Sequence, residues 1–164
     1  MCGCVRNGGK RGTTTGVVID VRLRPADPLR IEVPATADRL AQIRRSLVGW
    51  MEPIGVPDDV GADIVLAVNE AATNCVEHAY QNCPDGVMVV EATVKDGRIV
   101  VCISDQGQWR TPSTEPTTRG RGLPIIRAVG DGVEVRRSTS GTTVRIDFDV
   151  NAGDRGQELG SRTT

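Results

Sequence analysis

The chain has 164 residues, a formal net charge of −1, 38% hydrophobic residues and only 2% aromatic ones. That length fits one domain with tails, and the near-neutral charge gives no electrostatic case for binding nucleic acid. No apolar run approaches a membrane span, so the expectation is a globular domain whose core is built from Val, Ile, Leu and Ala.

Residues 1–15 are rich in Gly, Thr and basic residues and are expected to be a disordered leader. They contain no apolar stretch of a secretory signal. Cys2 and Cys4 lie there, but a lone Cys-x-Cys, with His78 as the single histidine, is a weak zinc signal. A reduced, cytoplasmic protein is the simplest expectation, with Cys75 and Cys102 as small core residues. A single domain is expected over residues 16–150 and a disordered tail over 151–164. Val17–Leu23 and Leu29–Val33 read as strands, the second with clean alternation. Thr36 is placed to cap a helix reaching Met51, with Leu40, Ile43, Leu47 and Met51 at helical spacing. Trp50 and Met51 are most simply core residues. Gly55-Val56-Pro57 breaks that helix. Pro57, Asp58 and Asp59 open a longer one. Val87–Val94 and Arg98–Ile103 read as a hairpin joined through Asp96-Gly97. Gln106–Arg121 reads as a loop, Gly122–Val129 as a short helix, and Gly132–Val135 with Thr142–Phe148 as a last hairpin around Ser140-Gly141. This order suits an α+β sandwich with a mainly antiparallel sheet covered on one face.

Three segments carry chemistry. On the long helix, Glu70, Asn74 and Glu77 are spaced four and three apart and share a face. A carboxamide and a carboxylate one turn apart are hard oxygen ligands, suited to a magnesium ion that also binds phosphates. One carboxylate would remain free to act as a base. Taken alone, the same pattern describes a solvated helix stripe. The second segment is Asp105-Gln106-Gly107, where a strand ends in Asp-x-Gly. A buried carboxylate there accepts from an exocyclic amine such as that of adenine, and Gly107 lets the backbone approach a flat ring. Such a turn is also a common way to end a strand. The third is Arg119-Gly120-Arg121-Gly122-Leu123 before the short helix, a potential phosphate cradle or a plain flexible linker. It is not a P-loop.

With these segments in this order, the chain resembles the GHKL (Bergerat-fold) ATPases, and more narrowly the bacterial anti-sigma-factor serine/threonine kinases. Asn69–Tyr80, Asp105–Gly107, Gly120–Leu123 and Gly141–Val144 carry the resemblance, which spans residues 33–150. It implies a two-layer sandwich with a mainly antiparallel, mixed sheet and helices on one face. It implies ATP and Mg2+, with Asn74 holding the metal and Glu70 as the general base. Asp105 and Gly107 would shape the adenine pocket. The nucleotide would be bounded further by Glu77, Arg119, Gly120, Arg121, Gly122, Leu123 and Thr143, and residues 108–121 would form a lid. The partners implied are a sigma factor, an antagonist protein with a phosphorylatable Ser or Thr, and a second copy in a homodimer, with no nucleic acid and no membrane. One departure stands out. Where many such proteins read Asp-x-Gly-x-Gly, this chain has Trp109 at the last position, which predicts a stiffer start to the lid. The competing expectation is a nucleotide-sensing binding module of the same fold without significant transfer. Glu70 argues against it, since a pure binder needs no base.

Overall fold

Alternation builds the sheet. In the computed structural model, which describes residues 22–79, 86–107 and 122–151, strand β1 (Leu29–Pro34) turns Ile31 and Val33 inward and Arg30 and Glu32 outward. Strands β2 (Val87–Lys95) and β3 (Arg98–Asp105) form a hairpin across Asp96-Gly97, both at positive φ, 52° and 74°. A turn of that hand matches the twist of its strands, and the Asp-Gly pair supplies it at low cost. Strands β4 (Gly132–Ser138) and β5 (Gly141–Asp149) form the second hairpin. The five strands run in the order β1-β2-β3-β5-β4, and every pairing is antiparallel. The expected mixed sheet is therefore antiparallel throughout its described strands.

One face of this sheet is covered by helices. Met88, Val90, Ala92, Ile99, Val101, Ile103, Val144, Ile146 and Phe148 are almost fully buried there. Helix α1 (Arg39–Ile54) adds a stripe of Ile43, Leu47, Met51 and Ile54. Helix α2 (Asp58–Asn74) adds Val60, Ile64, Ala67, Val68, Ala71 and Ala72. The buried alanines of its second half, Ala67, Ala71 and Ala72, let the backbone lie close to the sheet and to α3 (Gly122–Val129). Burying each large aliphatic side chain contributes roughly 1.5–3 kcal/mol.

Helix α1 departs from its expected bounds at both ends. Residues 36–38 form a turn in which the Arg39 N–H donates to the Thr36 carbonyl (3.0 Å), so the helix begins at Arg39 with Asp38, not Thr36, at its N-cap. At the far end Ile54 extends the apolar stripe one turn past Met51, and Gly55 closes the helix with φ 81°. Pro57 is the N-cap of α2, with Asp58 and Asp59 in its first turn. The expected strand at Val17–Leu23 falls mostly outside the described residues. Its described residues, Arg22 and Leu23, are irregular, and just after them the Arg24 N–H donates to the Ile54 carbonyl (2.9 Å). Cys102 is not a core residue. Its cross-strand partners are Glu91 and Arg145, on the face away from the helices, where it is half-buried.

Candidate functional site

The last turn of α2 points two adjacent residues in different directions. Successive helical side chains diverge by about 100°, so Asn74 and Cys75 face different neighbours. Asn74 turns toward the start of α3. A methyl group placed on Gly122 would lie 3.0 Å from Asn74 Nδ2, 3.1 Å from Asn74 Oδ1 and 3.3 Å from Glu70 Oε2. The bare backbone of a buried glycine thus sits directly against the carboxamide and the carboxylate. Neighbouring bonds fix this stretch of helix. Arg44 Nη1 donates to Asn69 Oδ1 (2.7 Å), tying α1 to the residue before Glu70, and Thr73 Oγ1 donates back to the Asn69 carbonyl (2.7 Å).

Beyond Asn74 the helix does not continue as α. Cys75–Ala79 form a π-helical turn, a wider winding that advances less per residue and often occurs at functional sites. Glu77 lies within this turn, so α-helical spacing does not fix its direction. It is exposed, whereas Glu70 and Asn74 are half-buried, and none of the three atoms nearest the Gly122 position belongs to it. The side chain of His78 lies outside the described residues.

Cys75 turns the other way, to the end of β3. Its thiol donates to Asp105 Oδ2 (3.5 Å), while the Gly107 N–H donates to Asp105 Oδ1 (2.9 Å). Asp105 is 6% exposed and Cys75 2%. Burial, reinforced by the neighbouring Asp105 charge, pushes the Cys75 thiol well above the ordinary range, so it stays protonated and remains a donor. Gly107, read as the residue that admits a flat ring, also orients the carboxylate.

The sheet register corrects one residue. Asp105 pairs with Thr142, and Ser104 with Thr143. Cross-strand partners share a face, so Thr142 stands beside Asp105 on the covered side and Thr143 projects to the other. Among the described residues, Asp105 and Thr142 (3% exposed) are the buried polar or charged side chains. Thr142, rather than the expected Thr143, is thus the threonine beside Asp105. The repeated Thr-Thr hid this, because register cannot be counted from one strand. Gly141, expected in a turn and in the segment that carries the resemblance, has a further role in packing. It has φ 138°, and a Cβ there would overlap the Asp105 carbonyl, so the backbone of β5 passes where no side chain fits.

Helix α3 begins at Gly122, and its N-terminal N–H groups carry positive potential suited to an anion. Leu123 is half-buried beside it. Arg119, Gly120, Arg121, Trp109 and the rest of the expected lid lie outside the described residues. Among the described residues no group of three or more His, Cys, Asp or Glu is arranged to hold a metal. That donor set suits a hard cation sharing one carboxamide with phosphate oxygens and waters rather than a dedicated protein cage, and Asn74 beside a helix N-terminus fits it. A separate groove of about 530 Å3 lies between α1 and the first half of α2, lined by Val48, Met51, Val56, Gly61 and Val65 among others. It contains none of the residues above and is not the site they form.

Comparison with known proteins agrees with this geometry. The histidine kinase-like ATPase domain family matches residues 33–148. The serine-protein kinase RsbW of Bacillus subtilis is 30% identical over 77% of this chain and 88% of its own. The anti-sigma F factor of Clostridium botulinum is 25% identical over 75% of this chain and 94% of its own. The crystal structure of the RsbU and RsbW domains of a Mycobacterium tuberculosis protein superposes with a TM-score of 0.64 at 30% identity, over 76% of this chain and 33% of that longer one. A blue-light activated histidine kinase of Erythrobacter litoralis, at 22% identity and a TM-score of 0.51, shares the fold. The two-layer α+β architecture, the segments that meet at Gly122 and Asp105, and these relatives together show that the chain belongs to the histidine kinase-like (GHKL) ATPase family, in its branch of anti-sigma serine-protein kinases.

Proposed function

We propose that the protein is an ATP-dependent serine/threonine kinase that phosphorylates an anti-sigma-factor antagonist and also binds a sigma factor. The observation that carries this reading is the convergence of Glu70 and Asn74 on the bare backbone of Gly122, with buried Asp105 tied to the same helix turn through Cys75. Bound ATP with Mg2+ supplies the transferable phosphoryl group and neutralises its charge. Asn74 would hold the metal through its carboxamide oxygen. Asp105 would accept from the adenine amine, with Gly107 and Thr142 beside it, and the α3 N-terminus would face the phosphates. Glu70 would take the proton of the acceptor hydroxyl as that oxygen attacks phosphorus. Phosphoryl transfer asks little more of a protein than positioning, charge and a base.

The partners in this reading are a sigma factor, an antagonist whose Ser or Thr hydroxyl reaches Glu70, and a second copy of the chain. Their setting is the cytoplasm. Among the described residues no helix is long and apolar enough to cross a membrane. The test is incubation with labelled ATP, magnesium and purified antagonist proteins. Label on an antagonist Ser or Thr is the expected result. ATP binding with no transfer to any antagonist would refute the kinase and leave a nucleotide-sensing module.

A further inference from the structure

The first described residues lie against the end of α1. The Arg24 N–H donates to the Ile54 carbonyl at 2.9 Å, and Trp50 Nε1 donates to the Asp27 carbonyl at 2.9 Å. Burial alternates at that anchor: Arg22 and Arg24 are exposed, while Leu23 between them packs against the core. The same alternation carried upstream puts Val21, Ile19 and Val17 on the face of Leu23, and Asp20 on the face of Arg22. Two residues beyond Ile54 stands Val56, which lines the groove of about 530 Å3 between α1 and α2. Met51, Val48 and Val65 make that lining apolar, and Val48 is 51% exposed among the described residues. Glu52 and Asp58 bring acids to it.

We propose that this groove is the docking site of the chain's own residues 17–21, with Val17, Ile19 and Val21 turned into it. The reach is sufficient. An extended residue spans at most about 3.6 Å, so Val21 lies within about 11 Å of the Arg24 anchor and Val17 within about 25 Å. From Ile54 back to Val48, helix α1 rises only about 9 Å, so five extended residues cover that span. Polarity agrees as well. The apolar face of the segment meets the Val and Met side chains, while the face of Asp20 and Arg22 keeps to water. Residues 1–16 hold Arg6, Lys10 and Arg11 and no acid, which complements Glu52 and Asp58. So docked, the segment braces the junction between α1 and α2, the helix that carries Glu70 and Asn74.

Methyl NMR on the full chain tests this. The parent should show NOE cross-peaks from the Ile19 methyls to those of Val48 or Val65. Ile19→Asp should shift the Val48, Val56 and Val65 methyl signals, while those of Val144 and Ile146 in the core stay in place and show that the fold is intact. Ile19→Val, which keeps an apolar side chain, should keep the parent's groove signals. Val48→Glu, at an exposed position, should move the Ile19 signals to those of a free peptide of residues 14–24. Groove signals unchanged by Ile19→Asp would overturn the proposal. Cross-peaks that arise only between chains, in a sample mixed from two labelling patterns, would overturn it by assigning the groove to a second copy. Groove signals that move on adding a sigma factor, with those of Ile19 already at the peptide values in the parent, would overturn it by assigning the groove to that partner.

Discussion

Gly122→Ala separates the site from the fold. The added methyl would stand 3.0 and 3.1 Å from the two polar atoms of the Asn74 carboxamide and 3.3 Å from Glu70 Oε2, where ordinary contact begins near 3.4 Å. All three atoms are the ends of side chains, so each can retreat by a few tenths of an ångström without moving backbone. Overpacking of this kind costs about 1–3 kcal/mol, and flexible neighbours place it at the low end. Gly122 is the first residue of α3, so the preference of helix interiors for Ala over Gly returns little here. The net change in stability is therefore within about 1 kcal/mol, a shift in melting temperature of a few degrees. Function should suffer far more, because the retreat displaces the metal-side carboxamide and the base together. A misplacement of about 1 Å costs about 100-fold in rate, so a few tenths of an ångström at two groups should cost roughly tenfold or more. Thermal melting and transfer to an antagonist, measured on one preparation, check this. Parent-rate transfer in a folded Gly122→Ala protein would show that Gly122 does not face the working groups, and the assignment of Glu70 and Asn74 would fall.

Glu70→Ala should lower transfer by about 100- to 10,000-fold while leaving ATP affinity near that of the parent. Asn74→Ala should lose nucleotide affinity as well, and binding measured beside transfer tells the two apart. Asp105→Asn should weaken ATP binding by about tenfold to a hundredfold, because an amide NH2 would face one of the donors, Gly107 N–H or Cys75 S–H, that now meet carboxylate oxygens. Calorimetry reads this directly. Gly141→Ala combines a strained φ of 138° with overlap of the Asp105 carbonyl, so it should destabilise the protein by about 2–6 kcal/mol in denaturant titrations. The raised pKa of Cys75 gives a pH dependence. The folded thiol keeps its proton where the unfolded one, with a pKa of about 8.5, loses it, so stability is full below that pH and falls as pH rises above it. Cys75→Ala should flatten that slope in denaturant midpoints taken from pH 7 to 10.

Periodicity and turn chemistry made most of the fold legible. The Asp96-Gly97 hairpin, the alternation of β1, the break at Gly55–Pro57 and the bounds of α3 all follow from local rules, and each element is where those rules put it. What escaped depends on partners far along the chain. Thr142 and Thr143 are equivalent until the register against Asp105 and Ser104 is known. Cys102 reads as a core residue until its partners Glu91 and Arg145 place it on the face away from the helices. Glu77 keeps α-helical spacing with Glu70 on paper, but it lies in the π-helical turn at Cys75–Ala79, where that spacing no longer holds. The link from Cys75 to Asp105 spans two elements and leaves no local mark.

The strand order has a consequence for how the site comes into being. Strand β5, the last of the described strands along the chain, is not at an edge: it lies between β3 and β4. It brings Gly141 against the Asp105 carbonyl and Thr142 beside the Asp105 side chain. A chain emerging from the ribosome can form the β2–β3 hairpin and pack it on α1 and α2, yet the pocket wall at Asp105 stays open until β5 inserts. Such insertion joins residues distant in sequence and belongs to the slower steps of folding. A chain interrupted before β5 would carry Glu70, Asn74 and Asp105 without Thr142 and Gly141 against them, so in the proposed reading recognition of the base would arrive only with the completed domain.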